Sequence, residues 1–222
     1  MLCGDPQLPL PFDAIVKPYD HWYESPKGEQ VFAAEFNCLQ HVCPECEGRW
    51  LEVGAGTGRF AGRMGIKEGI DPSGAMLELA ASRGITTYRG RAEALPFEAN
   101  TFDGILMALT LCFIERPEKA LSQCHGILKP NGQLLIGLVP AVSSWGIAYQ
   151  EKKKRGHPIY SHAHFLTIER TIAIAERSGF KLKASAGTLF CKPNELLQST
   201  LSIERGIYEC AGFAALLFIK AR

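Results

Sequence analysis

No stretch of this 222-residue sequence approaches the roughly 20 consecutive apolar residues that a bilayer-spanning helix needs, so no membrane span is expected. Neither sign of charge is in excess: 24 basic and 23 acidic residues leave a formal charge of +1, too little for a broad positive field around a phosphate backbone. A nucleic-acid partner is therefore not expected. Residues Met1 to Phe12 lack a basic region followed by an apolar run and carry Pro6, Pro9 and Pro11 instead. They do not read as a signal peptide, and a cytoplasmic protein is expected. Eight cysteines are present, but Cys43 and Cys46 form the sole CxxC, and no second CxxC or HxxxH exists to complete a zinc site. No metal is expected. Free thiols are the reading, with Cys112, Cys124 and Cys191 inside apolar or helical runs. Cys43 and Cys46 read as two surface thiols after a helix, which mild oxidation could join.

What is present fits one buried core, since 46% of the residues are hydrophobic and the chain is short for two domains. Residues 1–18 read as an irregular, proline-punctuated lead. Trp22, Val31, Phe32, Phe36, Leu39 and Val42 suit a helical stripe from Asp20 to about Cys43, interrupted around Pro26 and Gly28. Alternation follows. Strands are expected at Arg49–Val53, Lys67–Asp71, Ile85–Arg89, Phe102–Leu109 and Gln133–Val139, with helices between them and Ser73 as the N-cap of one. Pro130-Asn131-Gly132 reads as a turn after the helix Pro117–Leu128. After Pro140 come a polar stretch with the run Glu151–Arg155, a histidine-bearing segment, a helix from Thr167 to Ser178, and strands at Phe180–Ser185 and Phe213–Lys220. Strands alternating with helices imply crossover units, hence a doubly wound α/β fold with a mainly parallel seven-stranded sheet and helices on both faces.

In Leu51-Glu52-Val53-Gly54-Ala55-Gly56-Thr57-Gly58-Arg59-Phe60, glycines follow a buried strand and precede a helix, where an open α/β sheet places its ligand. Spacing decides which ligand. The dinucleotide fingerprint G-x-G-x-x-G fails because Arg59 stands at its third glycine, and no Gly-Lys-Ser/Thr follows to make a phosphate-binding P-loop. Glu52 would repel a pyrophosphate but can accept hydrogen bonds from an ammonium group. Asp71 ends the next strand, where a carboxylate can hold both ribose hydroxyls. A ligand with a ribose, an ammonium and no diphosphate points to S-adenosylmethionine.

Four segments carry a resemblance: Glu52-Val53-Gly54-Ala55-Gly56-Thr57-Gly58, Gly69-Ile70-Asp71-Pro72-Ser73, Arg91-Ala92-Glu93-Ala94-Leu95-Pro96-Phe97 and Leu128-Lys129-Pro130-Asn131-Gly132. In order and spacing they resemble the class I S-adenosylmethionine-dependent methyltransferases, type 11 branch, similar to the ubiquinone and menaquinone biosynthesis methyltransferases. The resemblance covers residues 48–140. It implies the Rossmann-like methyltransferase fold, S-adenosylmethionine as methyl donor and S-adenosylhomocysteine as product. By position it implies that Gly54, Ala55, Gly56 and Gly58 approach the methionine part, with Glu52 near its ammonium and Asp71-Pro72 at the ribose. Met76 would pack on the adenine, Ala92 and Glu93 would border its edge, and Leu109 and Thr110 would pass beneath the sulfonium. Arg91 departs from the family, which often has Asp there, and leaves the adenine amino group to backbone groups or Glu93.

A sulfonium is already a strong methyl donor, so the protein has mainly to place a nucleophile in line and exclude water. No fixed catalytic set is visible. In this family the acceptor pocket is usually built from the N-terminal helix, here a lid of residues 1–47, and an insertion after the fifth strand, here residues 140–166. These stretches offer Tyr19, His21, Trp22 and Tyr23 on one side and Trp145, Tyr149, His157, Tyr160, His162 and His164 on the other. Together they could form an aromatic lid around a small-molecule acceptor. His157, His162, His164 and Tyr23 are the candidates for assisting it, an imidazole titrating in the useful range. Lys152–Arg155 reads as an attractor for an acidic acceptor or as a solvated helix face. A monomer or homodimer is expected. The competing readings are a non-catalytic protein that binds or senses S-adenosylmethionine on the same fold, and a thiol- or metal-responsive protein using Cys43 and Cys46, with Cys38.

Overall fold

The structure is a computed structural model that describes residues 12–196 and 201–221. Helices α1 (Val16–Trp22) and α2 (Pro26–Val42) precede a sheet whose first five strands are β1 (Trp50–Val53), β2 (Glu68–Asp71), β3 (Thr86–Arg89), β4 (Phe102–Ala108) and β5 (Leu128–Leu138). Between them lie α3 (Arg59–Met64), α4 (Gly74–Ser82) and α5 (Pro117–Ile127). Helices α6 (Ser144–Lys154) and α7 (Ile168–Arg177) follow, then β6 (Phe180–Thr188), β7 (Glu204–Arg205) and β8 (Phe213–Lys220). The strand order is β3-β2-β1-β4-β5-β8-β6-β7. Strands β1 to β5 pair in parallel, while β8 inserts antiparallel between β5 and β6.

Alternation along the central strands explains why helices cover both faces. Ile105 and Met107 of β4 point into one apolar cluster with Ala120, Leu121 and Cys124 of α5 and Ile174 of α7. Leu106 and Ala108 point into the other, with Val31, Cys38 and Leu39 of α2 and Phe60 of α3. The same split runs through β8, where Ala214, Leu216 and Phe218 face one way and Phe213, Ala215 and Leu217 the other. A strand buried on both faces reads as a continuous apolar run, which is why β8 stands out in the sequence.

All seven expected strands are present, and an eighth extends the edge: Glu204 and Arg205 pair with Gly187 and Ala186 of β6. Two exposed charged residues carry no hydrophobic period, so nothing in the sequence marks them as a strand. The helical stripe from Asp20 breaks where expected, between Trp22 and Pro26, but α1 begins at Val16, inside the stretch read as an irregular lead. Ser25 caps α2 by accepting a hydrogen bond from the Gly28 amide, and Pro26 takes the first helical position. A Cβ on Gly28 would lie 1.9 Å from the Trp22 carbonyl oxygen, so only glycine permits so tight a corner. Ser73 caps α4 as expected, receiving the Met76 amide at 3.2 Å. Pro130-Asn131-Gly132 lies within β5 as an excursion, because pairing with β4 jumps from Leu128 to Gln133.

Among the described residues all cysteines are free. Cys43 closes α2 and is buried, not the surface thiol expected, because it packs into the α2 side of the core; Cys46 is half-buried. No group of ligand side chains able to hold a metal, and no helix long and apolar enough to cross a membrane, occurs among the described residues.

Candidate active site

The three loop glycines have different reasons to be glycine. Each has a positive φ, +75°, +50° and +75° for Gly54, Gly56 and Gly58. A Cβ on Gly54 would lie 2.1 Å from Thr110 Cγ2, and one on Gly58 would press on Ala80 at 3.0 Å. These two let the loop pack on the segment after β4 and on α4. At Gly56 a Cβ would meet nothing within 4 Å among the described residues. Gly56 is therefore the position whose bare backbone faces open space, where a ligand can approach.

Carboxylates surround that space. Asp71, at the end of β2, accepts the Gly56 and Ser73 amides, each at 2.9 Å, through its two oxygens. Burial pushes its carboxyl above the usual range against those two hydrogen bonds, and the nearby Asp13 charge adds to the rise. Glu52 is buried beneath the loop and accepts the Ala61 amide at 2.9 Å, at the start of α3. Burial holds it well above the ordinary carboxylate range, with Asp71 adding repulsion. Glu93 is buried as well, with Arg91 3.9 Å away. Asp13 reaches over from the N-terminal side to receive the Ser73 hydroxyl. So many buried acids favour a cationic ligand, because a positive charge would relieve their mutual repulsion and desolvation. A ligand bearing both an ammonium and a sulfonium fits this donor set. A pyrophosphate does not.

Helix α1 is fastened to the glycine loop by an ion-pair clamp. Asp20 on α1 receives Arg59 Nε and Nη2, both at 2.8 Å, and Arg83 Nη2 at 2.7 Å, while Arg83 also donates to the Thr57 carbonyl. Burial opposes the Asp20 charge, yet the two guanidinium groups outweigh it and hold the carboxyl far below its ordinary range. Arg59 thus has a role of its own beyond interrupting a fingerprint: it ties α1 to the glycine loop.

Beside the loop lies a cavity of about 610 Å³, within the size range of small-molecule sites. Tyr19, Trp22 and Tyr23 from α1 and its C-terminal end and Trp145, Tyr149, His157 and Tyr160 from the segment after β5 line it, with Leu109, Leu111 and Cys112 from the end of β4. Tyr149 and Tyr160 stack, centroids 4.4 Å apart, and the Tyr19 and Tyr23 hydroxyls lie 3.2 Å apart. Two features join this cavity to the glycine loop. Leu109 lines it with a left-handed φ of 56°, an uncommon conformation for a non-glycine residue, and the next residue, Thr110, donates to the Gly54 carbonyl. Tyr19 stands between the two, its hydroxyl pushed up to about 12 by burial and by the charges of Glu35 on one side and Asp71 and Glu52 on the other.

Of the four candidates for assisting the acceptor, Tyr23 and His157 line the cavity. His162 and His164 are exposed and do not line it, and His21 points to solvent against Glu24. Burial lowers the His157 imidazole, with Lys152 adding to the effect. Cys112 faces the cavity, and burial pushes its thiol up to about 12. The basic run divides: Lys152 lines the cavity, Lys153 donates to the Ala163 carbonyl, and Lys154 pairs with Glu151. Met76 is buried in the first turn of α4, and Ala92 packs against the core. Sequence reasoning missed Glu35, which lines the cavity from α2 with Oε2 lacking any hydrogen-bond partner among the described residues. The signal existed: Glu35 falls on the same helical face as Val31, Leu39 and Val42, where a carboxylate is out of place.

Residues 51–136 match the methyltransferase domain model Methyltransf_11. A Thermotoga maritima crystal structure, described as a SAM-dependent methyltransferase and possible histamine N-methyltransferase, superposes with a TM-score of 0.87 at 33% identity, covering 95% of this chain and 98% of that one. This chain belongs to the class I S-adenosylmethionine-dependent methyltransferases, type 11 branch. The methyl donor of the family, S-adenosylmethionine, is accordingly its cofactor. An uncharacterized Mycobacterium tuberculosis protein is 35% identical over 198 residues, 89% of this methyltransferase and 70% of the relative. The Rhizobium etli ubiquinone/menaquinone biosynthesis C-methyltransferase is 35% identical over 101 residues, which is 39% of each chain.

Proposed function

We propose that the chain transfers the methyl group of S-adenosylmethionine to a small organic molecule held in the aromatic cavity. The carrying observation is the junction at Leu109 and Tyr19, where that cavity meets the cofactor loop. In this reading residues 1–222 are one domain, residues 1–47 act as the lid and residues 140–166 as the acceptor-site insertion. Gly54, Ala55, Gly56 and Gly58 shape the bed for the methionine part, with Gly56 in direct contact. Glu52 receives the ammonium, Asp71 and Pro72 the ribose, and Met76, Ala92 and Glu93 the adenine. Leu109 and Thr110 lie under the sulfonium. Bound there, the cofactor supplies an activated methyl group; the cavity's own side chains hold the acceptor, orient it and keep water out. A small organic acceptor, rather than a polymer, is supported by the roof that α1 places over the site through the Asp20 clamp. An amine, as in the description of the Thermotoga maritima protein, is one class such a cavity can hold.

The test is S-adenosylhomocysteine formation with a panel of amines, phenols, thiols and enols. At least one acceptor class should yield product, and Tyr149→Ala should raise its KM while leaving cofactor affinity unchanged. A chain that binds the cofactor and releases no product with any class would show that binding, not transfer, is its activity.

A further inference from the structure

Glu35 sits in the middle of α2, 4% exposed, among the residues that line the cavity, with its buried Oε2 lacking any hydrogen-bond partner among the described residues. A buried carboxylate ordinarily has a cation or several hydrogen bonds, because leaving it unpaired costs several kcal/mol. No ion pair to Glu35 occurs among the described residues, although two lysines line the same cavity. Lys27 is aimed at the Trp145 ring and Lys152 at the rings of Tyr149 and Tyr160, and neither contributes to the state of Glu35. Burial alone pushes its carboxyl up to about 8.

The groups around it are aromatic. Tyr19 and Tyr23 from the lid and Tyr149 and Tyr160 from the opposite wall all feel the Glu35 charge, as does the Cys38 thiol one turn along the same helix. Each of these five is itself held above its ordinary value, chiefly by burial, so each stays neutral near pH 7. Four tyrosines sharing one cavity with a buried carboxyl group suit a basic nitrogen: ring quadrupoles attract its charge, and the carboxylate takes the N–H. An anionic acceptor would find no countercharge at Glu35, and a neutral hydrocarbon would leave Oε2 unpaired.

We propose that the acceptor is an amine whose basic nitrogen is received by Glu35 inside the tyrosine cage. This rests on the cavity being the acceptor site, but it is a statement about binding and stands or falls separately from transfer. The nitrogen also needs its lone pair free before it can react. An entering ammonium sends to solvent the proton that burial keeps on the empty Glu35, and the one proton left in the pair moves from nitrogen to the Glu35 carboxylate, leaving a neutral amine and a neutral carboxyl, the favoured charge state of such a pair in a dry site.

The test titrates the full chain, saturated with S-adenosylhomocysteine, with two matched pairs: tryptamine against indole-3-ethanol, and phenethylamine against 2-phenylethanol. Each amine should bind at least about tenfold more tightly than its alcohol twin, and Glu35→Gln should erase the difference while leaving S-adenosylhomocysteine affinity unchanged. Glu35→Met serves as a second variant, since replacing an unpaired buried carboxyl with an apolar side chain should raise the Tm. Alcohols binding as well as amines, no amine binding, or a Glu35→Gln protein that keeps the preference would overturn the proposal. Amine binding through Glu35 without S-adenosylhomocysteine formation from S-adenosylmethionine would leave the amine site standing and sink methyl transfer. Product from hydroxyl acceptors alone would do the reverse.

Discussion

The two halves of the proposed site are built by different means. Around residues 51–93 the working parts are backbone and short carboxylates: a bare Gly56, amides bonded to Asp71 and Glu52, and glycines that let the loop touch Thr110 and Ala80. Around the cavity the working parts are large side chains from segments far apart in sequence: Tyr19 and Tyr23, Glu35, Trp145, Tyr149 and Tyr160. A backbone cradle tolerates few residue types, so it leaves a fixed motif; an aromatic wall can be built many ways. The first half can therefore serve one cofactor throughout a family while the second is free to change acceptor.

The sharpest break of this contrast is Gly54→Val. A side chain there collides with Thr110 and must hold a φ of +75°, so backbone strain and overpacking together should cost about 4 kcal/mol. Thermal unfolding should show a large fall in Tm with cofactor binding lost. A side-chain substitution in the acceptor half should behave in the opposite way. Glu35→Gln removes a carboxyl whose folded value, about 8, lies above the usual 4.5. Below pH 4.5 both forms are neutral and the proteins should be similarly stable. As pH rises the unfolded carboxyl gives up its proton first, so wild type should lose ground to Glu35→Gln by about 1.4 kcal/mol per pH unit until about pH 8 and then level off. A pH-independent difference in urea midpoints would mean that Glu35 is not buried as described.

Asp20→Asn addresses the link between the halves. It leaves Arg59 and Arg83 facing each other without their shared carboxylate, and a loss of about 2 kcal/mol is expected at neutral pH. Because the folded Asp20 is held far below 3.8, its contribution is present above that pH and disappears as acidity takes the protein down through the folded value. Denaturation of wild type and Asp20→Asn should converge there. The smallest effect belongs to His162→Ala and His164→Ala, which should leave turnover within about twofold of wild type because both side chains are exposed and away from the cavity. A larger fall in kcat for either would return the basic group to the acceptor side.

This contrast also governs what the sequence made legible. Seven strands, the Ser73 cap, the glycine loop and Asp71 follow from hydrophobic period, capping chemistry and glycine spacing, all of them local signals. The Asp20–Arg59–Arg83 clamp joins residues 39 and 63 positions apart, and no local rule links them. Arg59 was informative only as a missing glycine. The tyrosines were recognisable as two clusters, but their convergence on one carboxylate depends on how α1, α2 and α6 meet over the sheet. Glu35 itself was visible as a charge on the apolar face of α2. Leu109 carries no residue-type signal for its left-handed backbone, where its amide donates to the Gly137 carbonyl.

On the proposed reading, cofactor and acceptor are recognised by separate parts, one backbone and one side chain. Calorimetric titration of S-adenosylhomocysteine into wild type, Gly56→Ala and Glu35→Gln tests it most directly. Gly56→Ala places a methyl group in the open space of the cradle and should weaken binding by about tenfold or more, while Glu35→Gln should match wild type. A Gly56→Ala protein with wild-type affinity, or an equal loss in Glu35→Gln, would contradict that division.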